Sequence, residues 1–395
     1  MPNIQEFYIV FFALQKIGAV PIMCLPAHRF SEIRHFTRAT GAKAHFFAPE
    51  FRGFDFVAMA REVQADAPTL GHLFATGEGA EPGLTYLDPL LEGGERDAPG
   101  GEYKVDPLDV AFMHLSGGTT GVPKLIPRTH ADYIYNCREC ARVLQWGSET
   151  KFLAALPAAH NFPLGAPGMV AILSVGGGMV LSSSTEAGAI FAAIEKFGAT
   201  VLPATPAFLI GLLDSPARKN HDLASLTQAI VGGQRMLPEL FDRLRAAFPH
   251  INPIQVFGMA EGLTNLVHPD DPEEVKRETQ GRPATTGDEI KIVDEEDAEV
   301  PVGAIGELIT RGPYTIRGYY RAEEHNRDAF TADGFYRTGD LVRLHGSGNL
   351  IVEGRKKDLI NRGGEKISAE EVENLILAHP QVRMVALVAM PDPVM

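Results

Sequence analysis

The sequence is poor in cysteine, poor in basic charge and without a membrane-length apolar run. Its 395 residues carry three cysteines, Cys24, Cys137 and Cys140. That count excludes a disulfide-stapled scaffold and suits a reducing, cytoplasmic setting. Cys137 and Cys140 form one C-x-x-C on a predicted helix from His130 to Gln145. No second pair completes a zinc site, and no strand just precedes it as in a thioredoxin-type site, so structural cysteines are expected. A net charge of −14 excludes broad attraction to nucleic acid or an anionic membrane. The apolar stretch Phe7–Leu14 follows Glu6, has no basic residue before it and precedes Lys16, so a core helix is expected there. The Walker signature Gly-Lys-Ser/Thr is also missing, which argues against a P-loop nucleotidase or kinase.

What is present is a globular composition, 45% hydrophobic and 22% charged. Residues 5–50 read as a βα layer that includes the apolar run Ala19–Met23, and 77–108 as a solvated connection. From Val110 to Gly258 strands and helices alternate. Expected strands are Phe152–Leu156, Met179–Ser182, Thr200–Pro203, Gln228–Gly232 and Pro253–Phe257; Ala187–Phe197 and Pro238–Phe248 are expected helices. Such alternation predicts an α/β fold with mostly parallel, doubly wound sheets and ligands at the C-terminal strand ends. Between Gln280 and Glu353, short β runs punctuated by Gly and Pro predict a small barrel or sandwich. A capped helix is expected from Ser368 and a strand over Met384–Met390, the start of a small α+β C-terminal domain.

Four segments carry chemistry. Leu115-Ser-Gly-Gly-Thr-Thr-Gly-Val-Pro-Lys124 ends an apolar strand in a glycine-rich turn. Its backbone N–H groups, two threonine hydroxyls and lysine suit a polyphosphate, although a strand-to-helix turn with threonine caps would look alike. Val256-Phe-Gly-Met-Ala-Glu-Gly262 places a glutamate able to ligate Mg²⁺, and an aromatic able to cover a nucleobase, at a strand end. Tyr336-Arg-Thr-Gly-Asp-Leu341 offers two carboxylate acceptors, suited to a ribose diol or to a plain turn cap. The fourth, Gly354–Gly364, is a basic, glycine-bearing connector.

In this order the four segments resemble the adenylate-forming superfamily, and most closely its stand-alone aryl acid–AMP ligases. Lys124-Leu-Ile-Pro-Arg-Thr-His130, His160-Asn-Phe-Pro-Leu164, Arg311–Tyr320 and Asn361–Lys366 carry that narrower likeness. The resemblance implies ATP and Mg²⁺ as cofactors, and a 2-hydroxyaryl acid of the 2,3-dihydroxybenzoate or salicylate class as substrate. It implies adenylation with release of pyrophosphate, then transfer to the phosphopantetheine thiol of an aryl carrier protein in siderophore or nonribosomal peptide synthesis. CoA is the alternative acceptor, and a nucleotide-binding fragment without turnover is a further reading.

By the same resemblance, Ser116, Gly117, Gly118, Thr119, Thr120, Gly121 and Lys124 grip the phosphates, and Glu261 holds Mg²⁺. Gly233, Val256, Phe257 and Ala260 border the nucleotide, and Asp340 with Arg355 takes the ribose. Lys357 is the hinge, and Lys366 faces the site in the thioester-forming arrangement. Asn161 reads the ortho-hydroxyl, with His160 beside it. Three pocket positions depart from the family: Ala166 where serine or cysteine is typical, Gln234 where alanine is usual, and Thr264 where valine is common. They point to a further polar group on the acid, as in a hydroxypicolinate. An unchanged ranking of aryl acids by Gln234→Ala would count against that.

The implied organisation is a large domain over 1–353 (an α/β layer at 110–260, a β-rich part at 280–353), a hinge at 354–358 and a lid beginning at 359–395. Beside the family, the chain lacks the first part of the large domain and most of the lid. Weak pyrophosphate exchange is therefore expected, and robust exchange by these 395 residues would refute that.

Overall fold

The computed structural model describes residues 1–92, 104–117, 123–362, 365–369, 372, 373, 376, 382 and 385–390. The chain opens with α1 (Gln5–Lys16) and α2 (Phe30–Thr40), then β1 (Ala44–Phe47), α3 (Phe56–Asp66), β2 (His72–Ala75) and β3 (Thr85–Tyr86). These three strands form a parallel sheet in the order β1-β2-β3. The run Ala19–Met23 is not a strand: it makes one bridge, Ile22 to Met113. Pro21 has no N–H for a ladder, and its carbonyl accepts from Met113 N instead. Within 77–108, expected to be plain connection, β3 and a helix at Asp88–Glu92 are ordered.

A hairpin follows, β4 (Val110–Leu115) and β5 (Leu125–Thr129), then α4 (His130–Val143). Next come β6 (Lys151–Ala154), α5 (Asn161–Leu164), α6 (Met169–Ser174), β7 (Gly178–Leu181), α7 (Ala187–Phe197) and β8 (Val201–Ala204). The layer ends with α8 (Pro206–Asp214), β9 (Gln228–Gly232), α9 (Pro238–Ala247), β10 (Asn252–Gly258), β11 (Thr264–Leu266) and β12 (Arg282–Pro283). Seven of these strands form the main sheet in the order β12-β11-β10-β9-β8-β6-β7. Its five inner and far strands are parallel, and β11 and β12 add an antiparallel edge.

Strand periodicity explains the layering. Phe152, Val201 and Ile230 join a core with Cys137, Cys140, Met169 and Ile172 from α4 and α6. Their sequence neighbours Leu153, Leu202, Ala229 and Val231 join the opposite core with Ile190, Phe191, Leu209, Leu240 and Phe241. Alternate side chains thus feed two apolar layers, as a doubly wound sheet requires. Both helix cysteines are free and fully buried, and burial pushes their thiols far up. Helix α4 stops two residues before expected, because Gln145 takes a left-handed φ of 59°.

The β-rich part is an open antiparallel sheet rather than a closed barrel. Its order is β13 (Glu289–Val293), β14 (Gly306–Arg311), β15 (Tyr336–Leu344) and β16 (Leu350–Arg355). A turn at Lys356–Asp358 leads to a hairpin of β17 (Leu359–Arg362) and β18 (Glu365–Ser368). Ala369, Val372, Glu373 and Ile376 are helical, as the capped-helix pattern predicts. Val385–Met390, expected as a strand, has no ladder partner among the described residues and carries no regular structure. Among the described residues no helix is long and apolar enough to cross a membrane.

Candidate active site

The glycine-rich turn joins two antiparallel strands, not a strand and a helix. Leu115 pairs with Leu125 across it, and Ser116 closes its neck. Ser116 N donates to Lys124 O, and Lys124 N donates to Ser116 Oγ, each at 2.9 Å. Gly117 faces open space. Gly118, Thr119, Thr120 and Gly121 lie outside the described residues.

One buried arginine ties this hairpin to the glutamate turn. Arg128 on β5 is 0% exposed. It donates to Ala260 O at 2.8 Å, to Tyr314 O at 3.2 Å and to Asp132 Oδ1 at 3.0 Å. Asp132 also accepts from Thr129 N and donates its own N–H to Thr129 Oγ1, so the arginine's counterion is the acidic member of the capping box that Thr129 opens on α4. The chain returns the tie through Ile316 N, which donates to Glu261 O, and Tyr320 N, which donates to Leu125 O. Gly262 has φ 153°, and a Cβ there would lie 2.5 Å from Thr315 Cα. Only glycine lets Glu261 turn in at this point.

Glu261 is buried, and its Oε1 accepts from the Tyr319 hydroxyl at 2.7 Å. Tyr319 in turn meets the Tyr336 hydroxyl at 2.9 Å. Burial raises the Glu261 carboxyl above its usual range, while the Tyr319 hydrogen bond and the Arg128 and Arg355 charges pull it down. Asp340, also buried, pairs with Arg355 Nε at 3.0 Å where β15 and β16 run side by side. Glu261, Tyr319, Tyr336, Asp340 and Arg355 thus form one electrostatic cluster. Among the described residues no three His, Cys, Asp or Glu side chains gather into a metal cage. A single buried carboxylate such as Glu261 fits a Mg²⁺ that arrives with a nucleotide, since Mg²⁺ keeps phosphate and water ligands.

The main sheet supplies the opposite wall. Gly232 pairs with Val256, and a Cβ on Gly232 would lie 2.5 Å from Val256 Cγ1. Gly233 follows with φ 85°, and with Gln234 it is exposed at the C-terminal end of β9. Val256, Phe257 and half-buried Ala260 continue along the end of β10. Phe162 of α5 approaches the same Gly232 position to 3.5 Å, which brings the His160–Leu164 segment to this end of the sheet. His160 caps α5, its Nδ1 accepting from Phe162 N. Asn161 Oδ1 accepts from the Tyr133 hydroxyl at 3.0 Å. Ala166 is buried, next to a cis bond with Pro167. Thr264 is buried too: its hydroxyl takes the Asn136 amide at 3.4 Å, and its N–H donates to the Tyr314 hydroxyl.

Lys357 is exposed on the turn after β16, while neighbouring Lys356 pairs with Glu307 at 2.9 Å. Lys366 lies on β18, opposite Asn361. No role was read from the sequence for Arg128, Tyr133, Tyr319 or Tyr336, although all but Tyr133 stand within Lys124–His130, Arg311–Tyr320 and Tyr336–Leu341. A charged residue inside the apolar strand Leu125–Thr129 was the signal available for the first. The tyrosines offered none, because each reads as ordinary core.

A model of AMP-binding enzymes matches residues 1–320. The chain belongs to that family. It is 47% identical over 392 residues to the 2,3-dihydroxybenzoate-AMP ligase of Bacillus subtilis, covering 99% of this chain and 71% of that one. It is also 47% identical to a salicylyl-CoA synthase / salicylate adenylyltransferase of Streptomyces, over 100% of this chain and 72% of the relative. Among solved structures, the apo structure of MbtA from Mycobacterium smegmatis matches with a TM-score of 0.81 and 42% identity, covering 99% of this chain and 72% of that one. This AMP-binding enzyme therefore shares fold and family with adenylating proteins over nearly all of its length.

Proposed function

We propose that this AMP-binding enzyme adenylates a 2-hydroxyaryl carboxylic acid with Mg·ATP and passes the acyl group to a phosphopantetheine thiol. The observation that carries the reading is the Arg128 tie, which sets a phosphate-type hairpin beside a buried glutamate, with Asn161 across the sheet end. In this reading the hairpin from Ser116 to Lys124 holds the β- and γ-phosphates. Glu261, oriented by Tyr319, would hold the Mg²⁺ that shields them. Asp340 accepts from the ribose hydroxyls, and its ion pair with Arg355 aligns it. Val256, Phe257 and Gly233 would border the adenine, and Ala260 would lie between nucleotide and acid.

The acid's carboxylate is ionised at neutral pH and attacks the α-phosphorus directly, so His160 is a wall and a cap rather than a base. Asn161 holds the ortho-hydroxyl, with Ala166, Gln234 and Thr264 shaping the rest of the pocket. Thr264 acts there through packing, since its hydroxyl is engaged by Asn136. The acceptor is the phosphopantetheine of an aryl carrier protein, with CoA the alternative. Lys357 is the pivot about which the residues beyond it turn between half-reactions, and Lys366 then faces the site.

ATP–pyrophosphate exchange over a panel of acids tests this. Salicylate and 2,3-dihydroxybenzoate should stimulate exchange at least tenfold more than benzoate or hexanoate, whatever the absolute rate. Equal stimulation by all four would overturn the reading.

A further inference from the structure

An asparagine amide has an oxygen face and an NH₂ face, and which one meets a ligand depends on what holds the other. The Asn161 oxygen is held. Tyr133 donates to it at 3.0 Å, and the same phenol oxygen lies 3.2 Å from His114 Nε2. Tyr133 and His114 are both buried. The phenol ring is fixed by an edge contact from Phe112, with centroids 4.6 Å apart, and by the Arg128 guanidinium 5.0 Å from its centroid. Gly165 lies against the hydroxyl, and a Cβ there would come within 1.9 Å of it. A glycine at 165 is thus what lets the phenol reach Asn161. Burial, aided by the Arg128 and His160 charges, holds His114 well below the usual imidazole range, against a hydrogen bond with the Asn161 side chain that raises it. Because Tyr133 gives its proton to Asn161, the phenol oxygen is left to accept from His114 Nε2.

We infer that Tyr133, backed by His114, is a positioning residue that locks the Asn161 amide oxygen inward and its NH₂ outward, so that the pocket accepts an ortho-hydroxy acid and rejects an ortho-amino acid. In 2-hydroxybenzoate the hydroxyl proton is committed to the neighbouring carboxylate, which leaves an outward lone pair to accept from the Asn161 NH₂. In 2-aminobenzoate one N–H serves the carboxylate and the second points outward, so two donors face each other. A buried mismatch of this kind lowers affinity roughly tenfold to a hundredfold. The inference rests on the reading of Asn161 as the group that meets the aryl acid.

The test is calorimetric titration of 2-hydroxybenzoate, 2-aminobenzoate and benzoate into the protein, with AMP titrated alongside. The wild type should favour the hydroxy over the amino acid by tenfold or more. Tyr133→Phe frees the amide to turn, so that ratio should fall below about threefold with AMP affinity unchanged. Gly165→Ala, which drives the phenol away from Asn161, should do the same and stands in if Tyr133→Phe fails to bind AMP. An unchanged ratio in the AMP-binding variant overturns the inference alone, provided Asn161→Ala still erases the preference for 2-hydroxybenzoate over benzoate. If Asn161→Ala leaves that preference intact, or the wild type lacks it, the reading of Asn161 fails and the inference fails with it.

Discussion

Arg128 shows how one side chain can hold a site together without facing its ligand. A guanidinium has five donors in a rigid fork, and here three of its contacts go to acceptors on separate segments. Arg128→Lys keeps the charge but cannot span Asp132, Ala260 and Tyr314 together. It should cost about 3 kcal/mol in urea unfolding, as when a buried ionic network loses a partner. A loss under about 0.5 kcal/mol, of the size expected for an uninvolved surface position, would contradict the assignment. Glu261 makes the complementary case. Glu261→Gln preserves shape and can still accept from Tyr319, yet removes the charge. Pyrophosphate exchange should fall by roughly a hundredfold, with aryl-acid affinity within about twofold of wild type. An equal loss in both would mean the glutamate is structural. The sequence singled out Glu261 and Asp340 as carboxylates beside glycines, and Asn161 only through the family resemblance of His160–Leu164. It did not disclose Arg128 or the tyrosines, because their roles depend on partners as far as 186 positions away.

At the scale of elements, short apolar runs between helical stretches were enough to locate the main strands. Gln228–Gly232 has the expected bounds, as does the helix Ala187–Phe197. The Ser116–Lys124 turn leads into an antiparallel partner of the strand before it. The β-rich part went otherwise, staying open instead of closing, because local pattern does not name a partner. Its entry strand carries a testable titration. Asp288, next to β13, accepts from the hydroxyls of Tyr314 at 2.6 Å and Thr285 at 3.1 Å, while its Oδ1 is buried without a hydrogen-bond partner. Burial raises its carboxyl to about 6 from an ordinary 3.8. The folded state therefore binds more protons than the unfolded state between those values. The group's stabilising contribution is complete below pH 3.8 and is lost as pH rises through about 6. Asp288→Asn should remove that slope and raise stability at pH 7.5 by on the order of 2 kcal/mol. Parallel pH–stability curves for the two proteins would contradict it.

For the whole molecule, the order of strands brings the segments around Gly232, Val256, Asn161 and Glu261 to one end of the fold. The carboxyl ends of β9 and β10, the segment after β6 and the neck of the β4–β5 hairpin converge there, and β15 and β16 close the side. Asn3 joins this frame from the far end of the sequence. Its amide donates to Ala154 O and Leu156 O, and its oxygen accepts from Ala158 N, bracing the approach to His160 and Asn161. The central claim is that one end of this fold holds an aryl group and an adenosine phosphate together. Binding of a sulfamate-linked mimic of salicyl adenylate, in which a stable sulfamate replaces the phosphate, measures that claim most directly. Joining two ligands in one site should make the mimic bind at least about a hundredfold tighter than AMP or salicylate alone, with a tenfold or greater loss in Asn161→Ala. A mimic no tighter than AMP, or one matched by its hexanoyl counterpart, would contradict the account.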